Sequence, residues 1–159
     1  MKTLERNKQY IYYATLIGKT ELKDEDGYVT GQYEKNFTEI IPKRHNISAA
    51  RGTVEVEQFG QNTNYSKTAV SDDISLNINE NSIAWVDYGK VEPYDEEKSY
   101  SAAELVYHGS SLYCCKSATT GTWDSEKWVA VPHNYIVVGV AKSLNSVTYA
   151  LREVKVNGE

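Results

Sequence analysis

The chain has 159 residues, 40% of them hydrophobic, with 17 Lys and Arg against 22 Asp and Glu for a formal net charge of −5. That length holds one domain, or one domain with a small insert, and not two large ones; the acidic balance argues against a nucleic-acid grip built on basic patches. The apolar stretch Ile136-Val137-Val138, which runs into Gly139 and Val140, falls far short of the roughly 20 residues of a membrane helix, and Met1 to Tyr10 carries no apolar run of the secretory kind.

Period-two spacing dominates, and 13 tyrosines against two Phe and three Trp suit half-buried strands and subunit contacts. The first predicted strand is Ile11 to Leu22, with apolar residues on both parities at its start. Both of its faces are expected to be covered, one by core and the other by a neighbour. Asp26-Gly27 marks a hairpin turn because glycine accepts the positive φ a tight turn needs. Tyr33 to Ile41 returns as a second strand closed by Pro42, and Ile47 to Ala50 is weakly strand-like. Val54 and Val56 alternate with Glu55 and Glu57, a strand with charge outward. Phe59 to Lys67 is polar and turn-rich, a loop or hairpin tip. Thr68 to Val70 opens another strand, Ile74, Leu76 and Ile78 alternate as a further one, and Ile83 to Val86 holds Trp85.

Tyr135 to Lys142 and the alternating Val147, Tyr149 and Leu151 predict a terminal hairpin turning at Leu144-Asn145. Parity then flips to Val154 and Val156, which calls for a bulge or sharp twist near Arg152-Glu153.

Pro93 and Pro132 bracket a segment holding both cysteines, Trp123 and Trp128, and four tyrosines. The composition shift predicts a β mini-core of roughly 40 residues spliced into a larger β domain and leaning on dense aromatic packing. Ser101-Ala-Ala-Glu104 is either a capping box opening a short helical turn or the approach to a strand at Leu105 to Tyr107, the reading we favour.

Cys114 and Cys115 form one dipeptide; they cannot staple a framework, which points to a reducing compartment. Beside His108 and His133 they could supply a thiol nucleophile and its base, but neighbours on a strand face opposite ways, one thiol buried and one exposed. Neither CxxC nor HxxxH spacing occurs, so no metal or cofactor is expected. Asp24-Glu25-Asp26 lacks the later carboxylates of a calcium loop, and Asp72-Asp73 cannot act as an acid and base pair from opposite faces of a strand. The expected protein is not an enzyme. Tyr94 and Trp123 are candidates for stacking on sugar rings, whereas Trp128 and Tyr100 read as core.

Three blocks carry a resemblance: TLIGKTELKDEDGYVTG (15–31), ARGTVEVEQFGQNTNYSKTAVSDD with NINENSIAWVDY (50–73 and 77–88), and YIVVGVAKSLNSVTYALREVKV (135–156). They resemble the head-closure (stopper) proteins of the head-to-tail connector of long-tailed bacteriophages, most specifically in VAKSLNS. The resemblance implies a small β-barrel or sandwich, copies of which form a ring in the virion neck, assembled in the host cytoplasm. Its partners would be the adaptor on the portal side and the tail-terminator, with DNA passing through without sequence-specific binding. The ring would help retain packaged DNA and dock the tail.

The segment YDEEKSYSAAELVYHGSSLYCCKSATTGTWDSEKWVAV (94–131) is similar to small chitin-binding-like modules, with Ala103-Glu104 where Gly-Asp is usual. The expected organisation is therefore all-β: a discontinuous host domain at 1–92 and 133–159, and an aromatic, carbohydrate-binding-like mini-domain at 93–132. For the ring, the loop candidates for neighbour or channel contact are Arg51, Phe59, Gln61, Asn62, Asn64 and Tyr65, while the two-faced strand Tyr10 to Ile17 offers an apolar surface. Lys43 and Arg44, with Arg51, are candidates for touching DNA or an acidic adaptor surface. The alternative function is glycan attachment through the insert, by Tyr94 and Trp123.

Overall fold

The computed structural model describes residues 8–49 and 65–154. Its strands are β1 (Lys8–Ala14), β2 (Leu16–Lys23), β3 (Val29–Phe37), β4 (Ile41–Ala49), β5 (Lys67–Ser71), β6 (Ile83–Val86), β7 (Glu92–Pro93), β8 (Ser99–Tyr100), β9 (Leu105–His108), β10 (Ser111–Cys115), β11 (Thr119–Thr120), β12 (Trp128–Val131), β13 (Tyr135–Lys142) and β14 (Val147–Glu153). The protein is all-β, and its described residues include a 3-10 turn at Ser125–Lys127 capped by the Asp124 carboxylate.

Six strands close a barrel in the order β1-β4-β5-β14-β13-β6. Closure leaves the barrel without an edge strand. Alternation fills its interior: Ile11 and Tyr13 from β1, Ala84 and Val86 from β6, Tyr135 and Val137 from β13, and Val147, Tyr149 and Leu151 from β14. Each of the Ile, Leu and Val side chains contributes about 1.5–3 kcal/mol by leaving water.

No strand between Glu92 and Val131 joins the barrel. They form a four-stranded sheet, β12-β10-β9-β7, and a two-stranded pair, β11-β8. The four-stranded sheet lies over the outside of the barrel wall. Leu105, Tyr107, Leu112 and Val131 pack on Tyr12, Ala14, Ile40 and Trp85, while the opposite parity, Val106, Cys115 and Trp128, joins Tyr100 in a third core. Polar groups stitch the seam: the Tyr12 hydroxyl donates to the Gly89 carbonyl at 2.9 Å and the Ile40 amide to the Gly109 carbonyl at 2.8 Å. Where the chain leaves and rejoins the barrel, the Asn134 side-chain amide clamps the Val86 backbone, accepting from its N–H at 2.8 Å and donating to its carbonyl at 2.7 Å.

Several expectations need correction. The two-faced start of the first strand is real, but its outer face, Tyr12 and Ala14, is covered by this chain's own insert and not by a neighbour. The strand also ends at Ala14: the Thr15 amide donates to Thr38 Oγ1 at 3.0 Å and its hydroxyl to the Asn77 carbonyl at 3.2 Å, which turns the chain out of the ladder. Tyr33 to Ile41 likewise splits between β3 and β4, and Pro42 sits inside β4 instead of closing a strand. Among the described residues β5 pairs with β4 only from Asn46 onward, so no described strand needs an N–H from that side of Pro42. The weak segment at Ile47 is the end of this nine-residue strand.

Ile74, Leu76 and Ile78 form no strand. Asp73 Oδ1 accepts from the Ser75 amide at 3.0 Å and bends the chain, so Ile78 plugs the core while Ile74 stays 47% exposed. The expected bulge lies one strand away, with Val138 as the extra residue between the Val137–Leu151 and Gly139–Ala150 pairs. Parity need not be rescued at Arg152, because β14 ends there in exposed residues and the Val154 amide turns to the Asn134 carbonyl at 2.9 Å. Ser101 to Glu104 makes a tight non-helical turn, with Ala103 at φ +76°, and delivers the chain into β9. The strand expected at Val54 and Val56 lies outside the described residues.

Candidate functional site

Between β1 and β4 the chain makes a hairpin, β2-β3, that pairs with no other strand among the described residues. Its turn follows from three residues. The Asp24 carboxylate accepts from the Asp26 and Tyr28 amides at 3.0 and 2.9 Å, the Gly27 amide closes on the Asp24 carbonyl at 3.0 Å, and Gly27 supplies the required φ of +86°. The ladder is irregular. Ile17 is an extra residue between the Leu16–Phe37 and Gly18–Asn36 pairs, and β3 carries Thr30, Gly31 and Gln32 opposite Leu22 alone. Gly31 at φ +80° takes up that excess. Eight residues of β2 at ~3.3 Å each give the hairpin a reach of about 25 Å.

Apart from its root at Leu16, Asn36 and Phe37, the hairpin is exposed on both faces. It nevertheless carries Ile17, Tyr28, Val29 and Tyr33, each more than half exposed, together with Leu22. A hairpin this bare has marginal stability in water by itself. An arm that spends five large apolar side chains on solvent is shaped for a partner.

The barrel gathers other apolar groups at the same end. Strand β1 leaves at Ala14 and β4 enters at Ile41; the Ser71–Val147 and Lys142–Val147 pairs place the ends of β5, β13 and β14 beside them. Two turns at this end each project one hydrophobe, Ile74 at 47% and Leu144 at 87% exposure. Of the eight large hydrophobic side chains exposed among the described residues, only Val129 lies elsewhere. Leu144 tops the turn in which the Ser143 amide donates to the Ser146 carbonyl at 2.8 Å. That turn is the KSLNS stretch.

Of the loop candidates, Arg51, Phe59, Gln61, Asn62 and Asn64 lie outside the described residues, and Tyr65 is half-buried just ahead of β5. Pro42, Lys43 and Arg44 on β4, with Lys8 and Tyr10 on β1, line a shallow groove beside the barrel wall. The Arg44 guanidinium stands 5.4 Å above the Tyr10 ring, and Lys8 Nζ lies 3.9 Å from Asp72. The apolar arm is what sequence reasoning passed over. Its signal was present in Ile17, Leu22, Tyr28 and Val29, which alternate poorly for a half-buried strand.

Tyr94 and Trp123 belong to the mini-core. Trp123 stacks on His108 at 4.1 Å and on Trp128 at 5.3 Å, and meets Tyr94 and Tyr113 edge-on at 5.0 and 4.9 Å. Tyr94 stacks on Tyr100 at 5.3 Å and its hydroxyl donates to the Gly121 carbonyl. Both rings are half-buried, and most of their aromatic surface is spent on one another and on their neighbours. Cys115 is buried and donates to the Ser117 carbonyl at 3.0 Å, while Cys114 on the opposite face is half-buried.

Inside the barrel, His45 is 1% exposed, with its ring 5.7 Å from Tyr13 and 6.0 Å from Tyr149. Among the described residues neither imidazole nitrogen nor either tyrosine hydroxyl has a hydrogen-bond partner. Burial, reinforced by the neighbouring Lys43 cation, holds the imidazole down to about 4, and burial pushes the Tyr149 phenol up to about 12. Among the described residues no group of three or more His, Cys, Asp or Glu is placed to hold a metal ion, and no helix is long and apolar enough to cross a membrane. Comparisons with known protein families, with characterised proteins and with solved structures return no match to this chain.

Proposed function

We propose that the protein is a structural virion component, a head-closure (stopper) subunit that forms a ring in the head-to-tail connector of a long-tailed bacteriophage. In this reading copies of the barrel stand side by side below the portal and adaptor, help retain packaged DNA and offer the tail its docking surface. The observation that carries it is the one-sided distribution of exposed hydrophobes: the arm residues Ile17, Leu22, Tyr28, Val29 and Tyr33 share one barrel end with Ile74 and Leu144. A closed barrel has no edge strand for lateral pairing, so a projecting arm is the means left for joining neighbours. Copies of a −5 subunit would line the passage with charge that does not hold phosphate, which suits rapid DNA transit. The KSLNS turn, the most specific part of the resemblance, puts Leu144 at that same end.

Electron microscopy of the purified protein, alone and mixed with portal and adaptor, tests the reading. Closed rings, or density seated on the adaptor, are expected. A monomer that never joins either assembly overturns it. Glycan attachment through the insert is supported less, since Trp123 already stacks on His108 and Trp128.

A further inference from the structure

A cleft of about 390 Å³ opens where the arm leaves the barrel. One wall is the root of the arm, where Phe37 and Lys35 share a face of β3. The other is the outer face of the barrel, where Ile83, Ile136 and Arg152 form one rung across β6, β13 and β14. The bulged Val138 extends the apolar floor, and His133 and Glu80 join the lining. In a chain of net charge −5, the positive groups gathered here are unanswered. Among the described residues Lys35 and Arg152 enter no ion pair, with Glu80 or with any other carboxylate. Lys19 stands directly opposite Lys35 on the arm, and like charges so placed destabilise a strand pair. The His133 ring is half-buried, edge-on to Trp85 at 6.1 Å, and without a hydrogen bond among the described residues. Burial, reinforced by the Lys35 cation, holds its pKa down.

We propose that this cleft binds a small organic anion, a single carboxylate on an aliphatic or aromatic body, with the carboxylate between Lys35 and Arg152 and the body on Phe37, Ile83, Ile136 and Val138. Its volume falls within the roughly 300–1,000 Å³ of small-molecule sites, and an apolar floor with a few converging polar groups is their usual lining. Charge selects a monoanion: with His133 neutral, the Lys35 and Arg152 cations against the Glu80 carboxylate leave a single positive charge in the lining. The Arg152 guanidinium offers the planar fork that a carboxylate matches, and the neutral His133 ring has an N–H to donate. A nucleic-acid backbone would leave the apolar floor unused, which makes it a poorer occupant. Because arm and barrel each supply one wall, a bound anion also ties the two together. The site stands apart from ring assembly and does not depend on it.

Titration of the full chain with cinnamate, against cinnamamide as its neutral counterpart, tests the assignment by nuclear magnetic resonance. Cinnamate should shift the methyl signals of Ile83, Ile136 and Val138 and raise the pH at which His133 titrates, since a bound anion offsets the Lys35 charge. It should bind about tenfold tighter than the amide, or more. Arg152→Gln and Lys35→Gln, both at exposed positions, should each remove most of that difference, and Glu80→Gln should tighten cinnamate binding. Equal binding of acid and amide overturns the proposal, as do shifts confined to residues away from the cleft. Cinnamate affinity indifferent to both the Arg152 and the Lys35 substitution overturns it too, and so does a parent that binds neither compound at millimolar concentration. Should a substituted chain not fold, judged by circular dichroism, the acid and amide comparison on the parent decides. None of these outcomes bears on the ring reading, which electron microscopy tests separately.

Discussion

The Trp85 indole Nε1–H donates to the Val131 carbonyl at 2.7 Å, a bond that spans 46 residues and ties the barrel strand β6 to the last strand of the insert. Trp85 itself is 2% exposed and Val131 half-buried, so the indole N–H has no water as a substitute. Trp85→Phe keeps most of the ring and leaves the Val131 carbonyl unpaired. The expected loss is about 1–3 kcal/mol, read as a lower urea midpoint. Limited proteolysis should cut first near the splice, between Asp87 and Glu92, because the insert then sits less firmly on the wall.

His45 makes stability depend on acid. Its folded value lies near 4 against an ordinary 6.5, so the unfolded chain binds more protons between those limits. The neutral buried form is fully favourable above pH 6.5, and its contribution is lost as pH falls from there to about 4. The whole shift corresponds to roughly 3 kcal/mol. His45→Phe removes the titrating group and should flatten that part of the stability profile relative to the parent; an unchanged slope between pH 6.5 and 4 would show that His45 does not carry it. The remaining acid sensitivity, from carboxylates such as Asp73, whose hydrogen bonds to Ser75 lower its value, should appear in both proteins.

Tyr13 and Tyr149 share that interior, each 0% exposed, with rings 5.8 Å apart and hydroxyls that have no hydrogen-bond partner among the described residues. Removing a buried hydroxyl without a partner relieves a desolvation cost. Tyr13→Phe and Tyr149→Phe are therefore expected to leave thermal stability unchanged or raise it by up to about 1 kcal/mol. Tyr12→Phe is the contrast, since the Tyr12 hydroxyl donates to Gly89 and accepts from the Val91 amide, and should lower stability by about 1 kcal/mol.

Much of the barrel was legible because its strands obey period two. Ile83–Val86, Tyr135–Lys142 and the alternation of Val147, Tyr149 and Leu151 appear as strands β6, β13 and β14. The alternation at Ile74, Leu76 and Ile78 misled for a physical reason: a segment capping a barrel end turns Leu76 and Ile78 inward without any ladder and leaves Ile74 exposed. The arm was hidden because Ile11 to Leu22 reads as one continuous strand. Only the paired hydrogen bonds of Thr15 and Thr38 reveal that the chain leaves the barrel there. Apolar residues on both parities of β1 reflect a second covering layer, and sequence alone does not say that this layer is the insert and not another subunit.

Trp123 decides between a mini-core and a glycan surface. Its ring contacts with His108, Trp128, Tyr94 and Tyr113 all lie between 4.1 and 5.3 Å. Trp123→Ala should therefore destabilise the insert by about 3 kcal/mol, seen as an earlier transition in near-ultraviolet circular dichroism. The barrel signal should shift less, because its interior core contains no residue of the insert. If the variant keeps the parent's stability but loses retention on immobilised chitin, the ring is a ligand surface and the packing role assigned to it fails. If stability falls and the parent itself shows no retention, the aromatic cluster serves to hold β8, β9, β10 and β12 together.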